Sequence, residues 1–358
     1  MSPASIADNQ KRVCVHDDNS LAGIAAFAAM VGRSTVDCAM IYTGSPDWAG
    51  WDDPWFLTIN SPDLNYGAWV RASPANDRRQ LIISQPLIPS GLAGTDWLDA
   101  GAAGDYTQYA IQFAQRLVAA GVSDAVIRFA WEMNGTWNVD SIPDTPAGDA
   151  KWIEFWRVTV DAMRSVPGAH FLFDWCPNNG VRAIPLNEYY PGDDWVDIIG
   201  DDAYDAGIPA GQPRWSNVLD RQQGLQTIID FATAHGKPLS IPEWGVAPTS
   251  TSLAGGDDPS YVQDIAGVVA ADDVAYQSYF YNHAWASQLA SGPLSLAAYR
   301  AAFGDGGSAV GPDDGTDITP VPGSGAPTTG TNDPTTGSSQ ATTTAGPGTG
   351  TQPPSASA

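Results

Sequence analysis

Val126-Ile127-Arg128-Phe129-Ala130-Trp131-Glu132-Met133-Asn134-Gly135-Thr136-Trp137 begins as an apolar strand and ends in a carboxylate among two tryptophans and an asparagine. A strand that spends interior positions on Arg128 and Glu132 is unusual. Strand alternation places Arg128, Ala130 and Glu132 on one face. An isolated buried carboxylate is costly, so it needs a partner or a task. Glu132 stands where strand gives way to loop, the usual place for chemistry on a rigid scaffold.

Working outward, similar short apolar runs recur. Strands are predicted at residues 11–16, 35–42, 80–87, 170–176, 195–200, 237–243 and 274–281, in addition to the one starting at Val126. Most are separated by helical segments, read at 21–31, 106–120, 150–164, 221–235 and 261–271. In 106–120, Tyr109, Phe113 and Leu117 form the i, i+4 stripe of a helix packed on a core, and Gly121 ends it. Eight strands alternating with helices over some 300 residues predict an α/β fold, a (β/α)8 TIM barrel. The competing architecture is an open doubly wound sheet. That fold carries a glycine-rich loop after its first strand, and His16-Asp17-Asp18-Asn19 is nothing like one.

Composition divides the chain into an N-terminal arm (1–11), a barrel domain (12–303) and a tail (304–358) of Gly, Pro, Thr and Ser. The tail is too poor in large apolar residues to offset the entropy of ordering and is expected to be a disordered linker. Forty acids against 16 bases give a formal charge of −24, which excludes the counterion-releasing surface that nucleic acid needs. It suits a neutral or cationic ligand. No apolar run reaches membrane-spanning length, so membrane insertion is not expected. Met1 to Arg12 lacks the apolar core of a signal peptide.

The cysteines are Cys14, Cys38 and Cys176, an odd count without metal-knuckle spacing. Cys14 and Cys38 fall on the first two predicted strands. A bridge between them is geometrically feasible, but reduced core thiols are the favoured expectation. Asp201-Asp202 and Asp257-Asp258 are read as solvated acids rather than calcium ligands. No His-rich spacing points to a metal hydrolase.

Barrel enzymes place their chemistry at the C-terminal strand ends. Those ends carry His16 and Asp17, Glu132, Trp175 with Asn178, Tyr204, Glu243 and Trp244, and Trp285. A facing pair of carboxyls, Glu132 and Glu243, is what glycosidic cleavage requires: one protonates the leaving oxygen and the other attacks the anomeric carbon. A hydroxyl donor such as Tyr204 would keep Glu243 ionised, while Glu132, among tryptophans and facing a like charge, would hold its proton. Tryptophans offer flat faces to sugar rings, and Asn134 and Asn178 offer amides to hydroxyls. Against this stand plainer readings: Glu243 as a salt-bridge partner of Arg128, and Tyr204 as a buried tyrosine. Trp152 and Trp156, on a helix, are core. Trp48, Trp51 and Trp55 either pack a loop or line a distal sugar subsite, and His16 and His283 stand at mouth positions.

Taken in order, these motifs resemble glycoside hydrolase family 26, the β-mannanase-type enzymes of the large retaining (β/α)8 clan. The likeness rests on Ile127 to Trp137, Asp174-Trp175-Cys176-Pro177-Asn178, Tyr189-Tyr190-Pro191-Gly192, Asp202-Ala203-Tyr204 and Pro242-Glu243-Trp244-Gly245, and spans roughly residues 12 to 300. The resemblance implies Glu132 as acid/base, Glu243 as nucleophile, Tyr204 as the residue orienting it and Trp137 as a sugar-stacking residue. Two positions depart from the family: Trp131 stands where histidine is common, and Cys176 where serine is common. Retaining chemistry therefore carries over better than mannan specificity.

The expectation is a cofactor-independent, metal-free retaining glycosidase. It would be a monomer, endo-acting on a β-mannan, xylan or β-glucan, and extracellular or associated with a virion or cell surface. Substrate contacts are expected from Arg128, Trp131, Asn134, Trp137, Trp175, Asn178, Trp244, His16 and Trp285. The rival class is a barrel that binds cell-surface glycan without cutting it.

Overall fold

The computed structural model describes residues 12–305, apart from 59, 74–77, 144, 181–183, 206–207, 209–211, 247–254 and 282–288. Its strands are β1 (Arg12–Asp17), β2 (Cys38–Tyr42), β3 (Gln80–Gln85), β4 (Val126–Phe129), β5 (Leu172–Trp175), β6 (Ile198–Gly200), β7 (Ala203–Asp205), β8 (Leu239–Val246) and β9 (Val274–Tyr281). The helices are α1 (Leu21–Met30), α2 (Ala49–Asp52), α3 (Tyr66–Arg71), α4 (Trp97–Ala102), α5 (Thr107–Ala119), α6 (Pro146–Arg164), α7 (Leu186–Tyr189), α8 (Arg214–Asp220), α9 (Leu225–Ala234), α10 (Pro259–Ala271) and α11 (Pro293–Phe303).

All strand pairings are parallel. They run β6-β5-β4-β3-β2-β1-β9-β8, and β6 closes on β8. The result is the eight-stranded (β/α)8 barrel that the alternation of runs predicts. The sixth barrel strand comes in two pieces: β6 and β7 flank Asp201-Asp202, and both pair with β8. The short β7 is absent from the sequence reading because three residues carry no periodicity. Helices α8 and α11 are likewise unassigned there, and the helix read at 221–235 is α9, which starts four residues later than expected.

Alternation builds two cores. Outward residues such as Val15, Ile41, Ile83, Ile127, Phe173 and Ile199 pack under the helices. Inward ones, including Cys14, Cys38, Met40, Ile82, Val126, Ile198, Tyr276 and Phe280, fill the barrel. Helix α6 shows the outer packing. Thr145 caps it by accepting from the Gly148 amide, Pro146 opens it, and Trp152 and Trp156 are fully buried. Trp51 is buried against Phe113 and Phe129, while Trp48 stacks on Tyr109 at 4.2 Å, so both pack the loop after β2 onto α5 and the barrel. Trp55 lies edge-on to Phe56 and Tyr66.

Two expectations about covalent and ionic state are overturned. Cys14 and Cys38 are bridged rather than reduced, because the β1–β2 register sets them side by side with Cα atoms 4.5 Å apart. Asp201 and Asp202 are buried rather than solvated: Asn179 donates to Asp201 at 2.6 Å, and Arg128 pairs with Asp202. At the far end, Asp305 accepts from the Ser34 amide at 2.8 Å. Residues 306–358 and the arm, 1–11, lie outside the described residues. Among the described residues no helix is long and apolar enough to cross a membrane.

Candidate active site

The inward residue nearest the C-terminal end of each strand forms the floor of the barrel mouth. Tyr42 from β2 lies 4.7 Å from His16 of β1 and 5.8 Å from Phe280 of β9, ring to ring. Ser84 of β3 accepts from Arg128 of β4 at 3.1 Å. Tyr204 of β7 and Glu243 of β8 complete the ring.

Two backbone devices aim the glutamates. Regular strand ends at Phe129, and Ala130 and Glu132 take left-handed φ values of 41° and 54°. Such angles are uncommon outside glycine and mark a site where the surroundings impose them. The turn breaks the expected shared face: Arg128 points inward, Ala130 joins the outer core, and Glu132 is carried up to the mouth. The Glu132 amide is secured by the Cys176 carbonyl at 2.9 Å. On β8, Pro242 has no N–H to give to the ladder, and the β8–β9 register shifts between Ile241 and Trp244. The shift inverts the alternation. Ile241 and Trp244, three residues apart, both face outward, and Glu243 turns in.

Glu243 is 6% exposed and Glu132 8%. Their nearest carboxylate oxygens lie within 4.8 Å, and Asp202 offers an oxygen within the same limit of both. Among the described residues this is the one set of acids able to gather around a cation. The cation there is organic. Arg128 donates from Nη1 to Glu243 at 2.7 Å and from Nη2 to Asp202, and it also touches Cys176 Sγ at 3.4 Å. Salt-bridge partner and mouth-facing carboxylate are therefore not exclusive roles for Glu243. One oxygen meets the arginine, and the other accepts from Tyr204 at 2.7 Å.

The two carboxyls differ in their partners. Burial and the facing charge of Glu243 push Glu132 up to about 7, against the smaller opposing pull of Arg128, Asn178 and Trp137. Burial also pushes Glu243 up, but Arg128, Tyr42 and Tyr204 outweigh it and hold Glu243 below its ordinary value. Glu132 accepts from Trp137 Nε1 at 2.6 Å and from the Asn178 amide. The Trp137 bond requires the ring to fold over Gly135, where a Cβ would stand 2.4 Å from it.

Several expected substrate contacts are corrected. Arg128 is fully buried beneath the carboxylates and cannot reach a sugar. Trp175 faces outward like Phe173 two residues earlier, and packs on Tyr189, Tyr190 and Phe231. The same alternation is readable in the sequence. Trp244 faces outward through the β8 bulge and stacks on Tyr299 of α11. Asn134 is fully buried, with both ends of its amide engaged by the Asn178 backbone at 2.9 and 2.7 Å. The Asn178 side-chain amide donates to Glu132. His16 is buried, donates Nδ1–H to the Met40 carbonyl at 3.2 Å and stacks on Phe280. Trp131 and Trp137 remain partly exposed at the mouth. Trp285 and His283 lie outside the described residues. Sequence reasoning missed Tyr42, Ser84 and the burial of Asp202. Cys38, Met40 and Tyr42 share strand parity, so alternation alone marks Tyr42 as inward.

Residues 104–243, which hold both glutamates and the segments between them, match the sequence pattern of glycosyl hydrolase family 26. Over this stretch the chain is family 26-like. A mannan endo-1,4-beta-mannosidase of Bifidobacterium adolescentis is 28% identical over 191 residues, which make up 51% of this chain and 18% of that protein. The match thus spans less than a fifth of the relative. Among solved structures, a GH26 beta-mannanase from Bacteroides ovatus superposes with a TM-score of 0.54 at 15% identity, covering 82% of this chain and 88% of that one. A Cellulomonas fimi endo-beta-1,4-mannanase double mutant gives 0.57 at 19% identity, covering 81% and 70%. At these identities the structural likeness shows the fold.

Proposed function

We propose that the protein is a retaining, endo-acting glycoside hydrolase that cleaves β-glycosidic bonds of a polysaccharide outside the cell, with β-mannan the first substrate to test and xylan and β-glucan next. The observation that carries this reading is a pair of mouth-facing carboxyls with oxygens within 4.8 Å and opposed protonation tendencies. Close approach favours direct attack by one carboxylate, since an inverting pair stands farther apart, about 6.5–9.5 Å, to admit water.

In the first step Glu243, ionised, attacks the anomeric carbon while Glu132 delivers its proton to the departing glycosidic oxygen. In the second, Glu132, now ionised, takes a proton from water, which attacks the same carbon and frees Glu243. Arg128 and Tyr204 compensate the Glu243 charge before attack and need no rearrangement during it. The family likeness over residues 104–243 and the mannan-cleaving relative support the reaction class. Trp131 and Cys176 close to the pair leave the sugar to be decided by assay.

The test is product analysis on mannan, xylan and β-glucans. Retention of the β-anomer in the first product by NMR is expected, with a loss of ~10³-fold or more in Glu243→Ala. Activity undiminished in Glu243→Ala refutes the nucleophile assignment. Tight glycan binding without product release in the parent would favour the binding-barrel reading.

A further inference from the structure

Tyr42 is held more firmly than a floor residue needs to be. Its backbone is gripped on both sides by one side chain: Asn19 donates to the Tyr42 carbonyl at 3.2 Å and accepts from its amide at 3.0 Å. Asn19 makes that double contact from a left-handed backbone, φ 55°. The Tyr42 ring is fenced by edge contacts to His16 at 4.7 Å, Trp131 at 5.1 Å and Phe280 at 5.8 Å. What this cage positions is the hydroxyl. It accepts from Arg128 Nη1 at 3.4 Å, the nitrogen that itself donates to Glu243 at 2.7 Å, and its closeness to Glu243 favours the ionised carboxylate.

We propose that Tyr42 is a second positioning residue for Glu243, its phenol working beside that of Tyr204 to fix the carboxylate for attack. The proposal rests on the assignment of Glu243 as nucleophile. A carboxylate has about four acceptor sites. Arg128 takes one on Oε1 and Tyr204 one on Oε2. Tyr204 comes from β7, next to β8, whereas Tyr42 comes from β2, three strands from β8 in the ring order. Donors arriving from separate strands restrain rotation of the carboxylate about its terminal bond, which a single phenol does not. Trp131 acquires a role by the same contact. Set immediately before Glu132 in the chain, its indole edge braces the ring whose hydroxyl serves Glu243, so the acid's segment and the nucleophile's donor are packed against each other.

The chain has four glutamates, Glu132, Glu154, Glu188 and Glu243, so ¹³Cδ-glutamate labelling gives a spectrum simple enough to follow Glu243 directly, with Glu243→Gln supplying the assignment. Tyr42→Phe removes the hydroxyl and keeps the ring. Glu243 is expected to titrate at higher pH in this variant than in the parent. On a β-mannan oligosaccharide, or whichever β-glycan the parent cleaves, kcat is expected to fall about tenfold, the low end for one hydrogen bond to a charged group, with KM changed less than threefold and the acid limb of the pH profile moved up. Asn19→Gly, which keeps the backbone form and deletes the clamp, should shift both readouts in the same direction by less. An unchanged Glu243 titration in a folded Tyr42→Phe protein overturns the proposal whatever the activity. A shifted titration in a protein that cleaves none of the β-glycans supports the positioning role while refuting the glycosidase reading.

Discussion

Replacing Glu132 with glutamine should change how stability depends on pH, in a direction set by the buried site. Glu132 keeps its proton up to about 7 in the folded protein, against an ordinary value of 4.5. Between those limits the folded state binds more protons than the unfolded one, so stability falls as pH rises. This contribution is fully present below pH 4.5 and is lost by the time pH has passed 7. The width of the window corresponds to about 3 kcal/mol at most. Glutamine does not titrate, so the variant should lack this loss. It carries a separate cost that does not vary with pH. Trp137 and Asn178 both donate to Glu132, and an amide has one acceptor oxygen, so one donor faces an NH₂ group. Leaving that donor unmet costs about 1–3 kcal/mol. Glu132→Gln is therefore expected to be less stable than the parent at pH 4.5 and to draw level or overtake it at pH 8, while losing about 10²- to 10⁴-fold in turnover. Urea melts of both proteins at several pH values between these give the comparison. Parallel stability curves for parent and variant would refute the burial of a proton on Glu132.

If the proposed acid role holds, the parent's kcat/KM should stay level through mildly acid pH and decline above about 7 as Glu132 loses its proton; the acid limb should lie below the ordinary glutamate value, because Arg128 and the tyrosines hold Glu243 ionised. Trp137→Phe keeps a ring over Gly135 but removes the indole N–H that favours ionised Glu132, so the alkaline limb is expected to move to higher pH; a limb that stays in place argues against that bond. Arg128→Met leaves Asp202 and Glu243 buried without their cation and should lower stability by about 3–5 kcal/mol, read as a lower urea midpoint. A midpoint shift of a few tenths of a kcal/mol would show that the pair is solvated.

Much of this protein was legible in its residues. Apolar runs spaced by helical stripes predicted the barrel, because burial on both faces of a parallel strand leaves a continuous apolar signature. The strand-end rule then singled out Glu132, Glu243 and Tyr204, which the structure brings together. Trp175 and Trp244 were misassigned for different reasons. Strand parity with Phe173 already turns Trp175 outward, whereas Trp244 faces outward through a bulge at Pro242 that reverses parity. Asp202 reads as one of many surface acids until the ring closes and sets it on Arg128. Cys14 and Cys38 become partners through a register between two strands that no local pattern encodes. Tyr42 joins the site through contacts with residues 86 and more positions away in sequence. Local periodicity determines which elements form and which side chains turn inward. Which inward side chains share a carboxylate, a guanidinium or a proton depends on how the closed barrel staggers its strands, and that is a property of the tertiary structure alone.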